Sequence, residues 1–302
     1  MSHSALVARI GFIGAGRVAQ TLAAAFLQAG LQVSAVTSRS TSNLEGFRSR
    51  CPSVRVSEHP QDIVDSCTLV FLTVSDDAIE PVCGSIEWHD GAAVVHCSGA
   101  SEVATLDSAR KAGSRVGGFH PMQMFANPDV ALAGLPGCTV GIEAEGELLT
   151  TLHALARTIG CVPLTLPAGV RPLYHASAYY VGPFLIALLK EGANLWKRFG
   201  ADERQALEAM LPLLRGTVEA VRDGGLAKGM GGCVARGDVG TIAKHLAALD
   251  GSDATAGHLY RELAARNVPL GIERGSLSME RAKIIEALLK AAPGSLSKVA
   301  WI

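Results

Sequence analysis

The sequence predicts an α/β chain in two parts: a mainly parallel sheet domain over residues 1–166, followed by an all-α domain over residues 167–302. Three observations carry this. Short apolar runs alternate with amphipathic stretches through the first half, the pattern of strands covered on both faces by helices. The alternation stops near Leu166, and the chain after "PAGVRP" has helical character almost throughout. A glycine-rich turn joins the first strand to the first helix.

In chain order the expected strands are "ARIGFIG", "LQVSAVTS", "TLVFLTV", "AAVVHCS", "SRVGGFH", "CTVGIEA" and "CVPLTL". Helical patterns lie between most of them, "GRVAQTLAAAFLQAG" and "SEVATLDSARKAG" among them. Past Leu166 a long helix is expected from after Pro172 to Gly200, bent at Pro183. "ADERQALEAMLPLLRGTVEAVRDGG" follows, capped by Asp202 and ended by Gly224 and Gly225. "GDVGTIAKHLAAL", with Asp238 as its N-cap, "ATAGHLYRELAARN" and "SMERAKIIEALLKAA" complete the helical part.

Composition narrows the function. The 302 residues are 48% hydrophobic and 18% charged, with a net charge of −1 and 5% aromatics. Nothing basic enough for nucleic acid or for a membrane surface is present, and no apolar run reaches the ~20 residues of a bilayer span. The N-terminus reads as a short tail rather than a secretory signal. Seven cysteines without a CxxC pair argue against a disulfide framework or a zinc site and suit reduced thiols in a cytoplasm.

"IGFIGAGRVAQTLAAAF" carries Gly14-Ala15-Gly16-Arg17-Val18-Ala19, a GxGxxA fingerprint between strand and helix. Gly14 permits the tight turn, Gly16 lets the backbone approach a pyrophosphate, and Ala19 lets helix and strand pack closely. The helix start, at Arg17 and Val18, offers free N–H groups and a positive dipole end to the phosphates. This is the signature of a Rossmann-type dinucleotide site. Where an NAD site usually carries Asp or Glu, the second strand ends in Ser38, Arg39 and Ser40. An arginine between hydroxyls suits a ribose 2′-phosphate, so NADP(H) is the expected cofactor.

Ligands of open α/β sheets lie beyond the carboxyl ends of the strands. "VFLTV" leads there into Ser75, which with Val74 is expected beside the cofactor, while Asp76 or Asp77 reads as a helix cap. "AVVHC" leads into Ser98 and "VGGF" into His120-Pro121. Reducing a C=O or C=N carbon requires a proton as well as a hydride. A histidine with an ordinary pKa near 6.5 can supply it, and a serine hydroxyl can bind the same oxygen or a substrate carboxylate. A histidine satisfied within an X-Pro turn and a turn-forming serine are the structural alternatives. On the next helix His175 and Tyr179 share a face and are candidates to close over the site. Lys190 lies ~22 Å further along a straight helix, too far to serve it. Arg236, ahead of the Asp238 cap, is the candidate clamp for a carboxylate.

These stretches, with "FLTVSDDAI", "VVHCSGA", "GGFHPMQMF", "YHASAYY" and "GGCVARGDVGTIAKHLAAL", resemble the Rossmann-like oxidoreductases with an uncharacterised helical C-terminal domain, within the 6-phosphogluconate-dehydrogenase-like superfamily. The resemblance spans nearly the whole chain. Some members resemble an alternative ketopantoate reductase, and the fold is similar to pyrroline-5-carboxylate reductase and to F420-dependent NADP oxidoreductases. The "CSG…HPM" arrangement resembles prephenate dehydrogenases, which implies that Ser98 and His120 face substrate. Two positions depart from the pattern: Pro183 stands where relatives carry Asn, and Gly232-Cys233 stands where they carry Gly-Pro.

The expectation is an NADPH-dependent reductase of a small carboxylated ketone or imine, with His120, Ser98 and His175 catalytic, Arg236 and Tyr179 on substrate, and no metal. Ketopantoate reductase is the specific enzyme alternative; a non-catalytic NADPH sensor is the rival class, in which His120 would be dispensable. Uncovered apolar faces in the helical part suggest a homodimer.

Overall fold

The computed structural model describes residues 8–292. Eight strands form one sheet in the order β3-β2-β1-β4-β5-β6-β7-β8, with β1 at Ile10–Ile13, β2 at Val33–Thr37, β3 at Arg55–Val56, β4 at Leu69–Leu72, β5 at Ala93–His96, β6 at Arg115–Pro121, β7 at Thr139–Glu143 and β8 at Val162–Thr165. The first six are parallel; β7 runs antiparallel to β6, and β8 parallel to β7. The expected Rossmann-type, mainly parallel sheet is therefore present. Central strands β1, β4 and β5 are buried along their whole length, as the unbroken apolar runs "IGFI", "LVFL" and "AVVH" require.

The helices of this part are α1 (Arg17–Gln28), α2 (Thr41–Arg50), α3 (Pro60–Ser66), α4 (Asp76–Gly84), α5 (Asp107–Lys111), α6 (Pro128–Ala133), α7 (Gly146–Thr158) and α8 (Arg171–Val181). On one face of the sheet Phe12 stacks on Phe71 at 5.2 Å between centroids, Phe71 meets Phe119 edge-on at 5.6 Å, and Phe26 and Phe47 close the cluster from the helices. Such ring pairs are worth about 0.5–1.5 kcal/mol beyond the area they bury. Ile63, Val70, Leu72, Ile79 and Val94 fill the other face.

The second set comprises α9 (Pro183–Lys197), α10 (Glu203–Gly229), α11 (Gly232–Arg236), α12 (Val239–Asp250), α13 (Ala254–Glu273) and α14 (Met279–Lys290). Asp202 and Gln205 form a reciprocal capping box on α10, and Asp238 caps α12 through the Thr241 amide at 3.0 Å. Val234, Ile242, Leu246, Val268 and Ile285 make a separate core among α11 to α14.

Several expectations are refined. The long helix after Pro172 is two helices, because Gly182 leaves helical geometry (φ −104°, ψ −100°) and Pro183 starts afresh at the head of α9. The expected stop at Gly224-Gly225 is a break within α10, where Gly225 takes φ +73°. The stretch "GGCVARG" ahead of Asp238 forms a short helical turn, α11. The chain divides into compact units Met1–Phe184 and Leu185–Ile302, a later point than the change of pattern at 166. The reason is that α8 packs onto the sheet: a Cβ on Gly118 would meet the Arg171 guanidinium, and one on Gly141 would meet the Tyr174 ring.

Candidate functional site

Gly14 has φ +105°, and a Cβ there would lie 2.5 Å from the Thr73 carbonyl. Only glycine makes this turn without strain. Thr73 Oγ1 donates to the Gly14 carbonyl at 2.8 Å and pins the turn against the end of β4. Gly16 is the N-cap of α1 and has no side chain with which to cap it, and no acidic residue occupies the first helical turn. The first-turn amides are thus open to an anion. A Cβ on Gly16 would meet nothing closer than 4.0 Å, so the loop presents bare backbone to a ligand.

This turn forms the floor of a cavity of about 440 Å³. Gly14, Gly16, Ser38, Arg39 and Ser40 line it, and Val74 and Ser75 form its other wall. Arg39 is exposed and its guanidinium has no hydrogen-bond or ion-pair partner among the described residues. Ser38 Oγ accepts from the Ser40 amide at 3.2 Å, and Ser40 Oγ caps α2 through the Asn43 amide at 3.3 Å. Ser75, rather than Asp76 or Asp77, is the N-cap of α4. Arg17 and Val18 are not among the lining side chains: Arg17 heads α1 in solvent and Val18 packs against the core. Sequence reasoning missed Glu58, a carboxylate lining the cavity from just beyond β3. The open turn, the free helix start and the unpaired Arg39 fit a dinucleotide with a 2′-phosphate.

At the carboxyl ends of β5 and β6 two imidazoles converge. A Cβ on Gly99 would lie 2.3 Å from His175 Nδ1 and 2.7 Å from His120 Nε2. The rings meet edge-to-face, centroids 5.3 Å apart, and Tyr179 packs on His175 at 5.4 Å. β5 leaves the ladder after His96 pairs with Gly118, so His120 and Pro121 extend beyond it and pair with β7 on their other side. Tyr174 Oη donates to the His120 carbonyl at 3.3 Å and faces His120 Nδ1 at 3.4 Å. With the Tyr174 hydroxyl assigned as donor to that carbonyl, the matching tautomer carries its proton on Nδ1 and has Nε2 as the acceptor toward Gly99. Burial, then the neighbouring His175 and Arg171, push His120 down to about 4.

Ser98 is in place but its hydroxyl is committed. Its Oγ accepts from the Ala100 and Ser101 amides at 3.2 and 2.9 Å and donates to Ser101 Oγ at 3.0 Å. The residue shapes the turn that carries Gly99, the structural alternative weighed for it. Two further polar side chains lie buried in this region, Arg171 and His96. In the second compact unit Arg236 ends α11 exposed, and Lys190 is ion-paired with Glu203. Cys233 Sγ lies 3.8 Å from Tyr260 Oη. Among the described residues no cluster of three His, Cys, Asp or Glu side chains is placed to hold a metal.

Residues 9–99 match the family described as NADP oxidoreductase coenzyme F420-dependent, and residues 138–267 match a domain of unknown function, DUF2520. Among solved structures the chain is similar to protein TM1727 from Thermotoga maritima, at 21% identity and TM-score 0.69, covering 88% of this chain and 99% of that one. It is similar to a pyrroline-5-carboxylate reductase from Coxiella burnetii, at 16% identity and TM-score 0.57, covering 92% and 98%. It is also similar to a reductive aminase from Aspergillus terreus in complex with NADPH and ethyl-5-oxohexanoate, at 16% identity and TM-score 0.58, covering 94% and 92%. No protein of curated function matches the chain. The first match lies on the Rossmann-type sheet and the second begins at β7 and runs into the helices, the architecture and cofactor class of an NADP-dependent oxidoreductase.

Proposed function

We propose that the protein is an NADPH-dependent reductase of a small carboxylated substrate with a C=O or C=N bond, and that of the two the imine fits better. The carrying observation is the convergence of His120 Nε2 and His175 Nδ1 over Gly99, at strand ends adjacent to those that form the dinucleotide cavity. When bound, the dinucleotide supplies a hydride. Gly14, Gly16 and the start of α1 hold its pyrophosphate, and Arg39 with Ser38 its 2′-phosphate.

A ketone needs a proton delivered as the hydride arrives, and the best donor has a pKa near the working pH. His120, held down to about 4, is uncharged at neutral pH and so has almost no protonated form with which to deliver a proton. An imine arrives already protonated on nitrogen. A neutral Nε2 acceptor can take the hydrogen bond of that N–H and orient the C=N carbon. The Coxiella and Aspergillus neighbours, a pyrroline-5-carboxylate reductase and a reductive aminase, support the same reading. Ser98 shapes the turn under the reacting group, and Tyr179 walls the cleft beside His175.

NADPH oxidation measured against cyclic imino acids and 2-oxo acids, 2-dehydropantoate included, tests the reading. Turnover of an imino acid is expected to exceed that of its oxo counterpart by about 100-fold in kcat/KM, equivalent to ~2.7 kcal/mol of transition-state stabilisation. Gly99→Ala, whose new methyl group enters the space between the imidazoles, should lose turnover while NADPH affinity stays within about twofold. Saturable NADPH binding with no turnover of either class would leave the sensor.

Exposed apolar side chains on α9 and α10, including Ile186, Leu211, Leu213 and Leu226, support a homodimer. Seven free cysteines suit a reducing compartment, and among the described residues no helix is long and apolar enough to cross a membrane.

A further inference from the structure

Arg171 is the largest fully buried side chain of the described residues. Burying a guanidinium costs several kcal/mol unless its charge and donors are matched. Nε donates to Glu143 Oε2 at 2.7 Å and Nη1 to the Ser98 carbonyl at 2.7 Å, while Nη2 has no partner. The group sits where a side chain on β6 would be: a Cβ on Gly118 would fall 1.7 Å from Nη2. Register explains the space. His96, Gly118 and Glu143 are paired in one row across β5, β6 and β7. The glycine leaves a trough in that row, and the guanidinium fills it.

Arg171 touches neither the dinucleotide cavity nor solvent, yet it grips both sides of the imidazole cleft. Through the Ser98 carbonyl it holds the turn that carries Gly99. Through its own place on α8, one turn before His175, it holds the helix that carries Tyr174 and His175. We propose that Arg171 is the positioning residue of this cleft, fixing the gap between His120, His175 and Gly99 from beneath. The inference rests on the reductase reading for its catalytic consequence but not for its geometry.

The charges around His120 give the inference a readout that simple packing would not move. Facing it are His175, Tyr174 and Arg171 from α8, with the buried His96 on β5 and the partly buried Glu143 on β7 completing the set. Arg171 opposes protonation of both His120 and His96, in addition to the larger effect of burial. Removing the cation and its counter-ion together, in Arg171→Met/Glu143→Gln, should let His120 take up its proton at higher pH. Arg171→Lys keeps the charge but loses the planar fork that spans Glu143 and Ser98.

The experiment is an NMR titration of the histidine ring carbons in wild type and both variants, with steady-state kinetics alongside. The titration midpoint of His120 should rise in the double variant and stay in place in Arg171→Lys. In Arg171→Lys kcat should fall about 10- to 100-fold, with NADPH affinity unchanged within about twofold. The titration does not depend on turnover, so absence of any substrate would defeat the reductase reading and leave this test standing. An unmoved His120 midpoint in a folded double variant overturns the proposal, as does wild-type kcat in Arg171→Lys. Should the double variant not fold, Arg171→Lys decides alone.

Discussion

Gly14→Ala is expected to weaken NADPH binding by at least about 100-fold and to destabilise the sheet domain by about 2–4 kcal/mol. Two costs add. The backbone at φ +105° is unfavourable for any residue with a Cβ, and the new methyl would lie 2.5 Å from the Thr73 carbonyl. Relief requires the turn to move, and the turn carries Gly16 and the free amides of α1 with it. Gly16→Ala separates binding from folding. Its methyl meets nothing in the chain closer than 4.0 Å, so stability should hold within about 0.5 kcal/mol while affinity falls, because the methyl occupies the approach of the pyrophosphate. Nucleotide fluorescence titrations with urea unfolding of both variants make the comparison. Wild-type affinity in Gly16→Ala would mean that no phosphate approaches this loop.

Between pH 7.5 and 5 the protein is expected to lose about 4 kcal/mol of stability through the buried His96 and the half-buried His120. His96 is completely buried, and burial, then the Arg171 charge, hold it down to about 3 against a backbone contact at Glu102 that pulls it up. His120 is held down to about 4. In the unfolded chain both titrate near 6.5. Below that pH the unfolded state binds two protons that the native state refuses, so stability is full above pH ~6.5 and falls as pH drops toward the folded values. Each imidazole contributes about 1.4 kcal/mol per pH unit, a large part of a typical total of 5–15 kcal/mol. Urea unfolding at pH 7.5 and 5.0 measures the slope. His96→Leu should remove about half of it and be the more stable protein at pH 5. An unchanged slope in His96→Leu would show that His96 does not titrate on unfolding.

Local chemistry made much of the site legible. Gly14, Gly16, Ser38, Arg39 and Ser40 were readable because turn, helix start and strand end lie within a few residues of one another. The strands were readable as apolar runs, except β3, whose two residues have no period to detect. Glu58, just beyond β3, escaped for that reason. His120 was readable from the collision of a strand with a proline, but its low proton affinity depends on α8 folding over it. Arg171 was invisible. Its place is determined by Glu143, 28 residues away, and by the missing side chain on Gly118, which one sequence does not connect. For Ser98 the sequence left a turn-forming role and a substrate-facing one open, and its hydroxyl accepts from the amides two and three residues on.

The most direct test of an NADP site built from Gly14, Gly16 and Arg39 is a paired titration of NADPH and NADH against wild type and Arg39→Glu. The account predicts NADPH tighter by about tenfold or more, ~1.4 kcal/mol, and a loss of that preference in Arg39→Glu with NADH affinity little changed. Equal affinities in wild type, or a preference that survives charge reversal at Arg39, would contradict it.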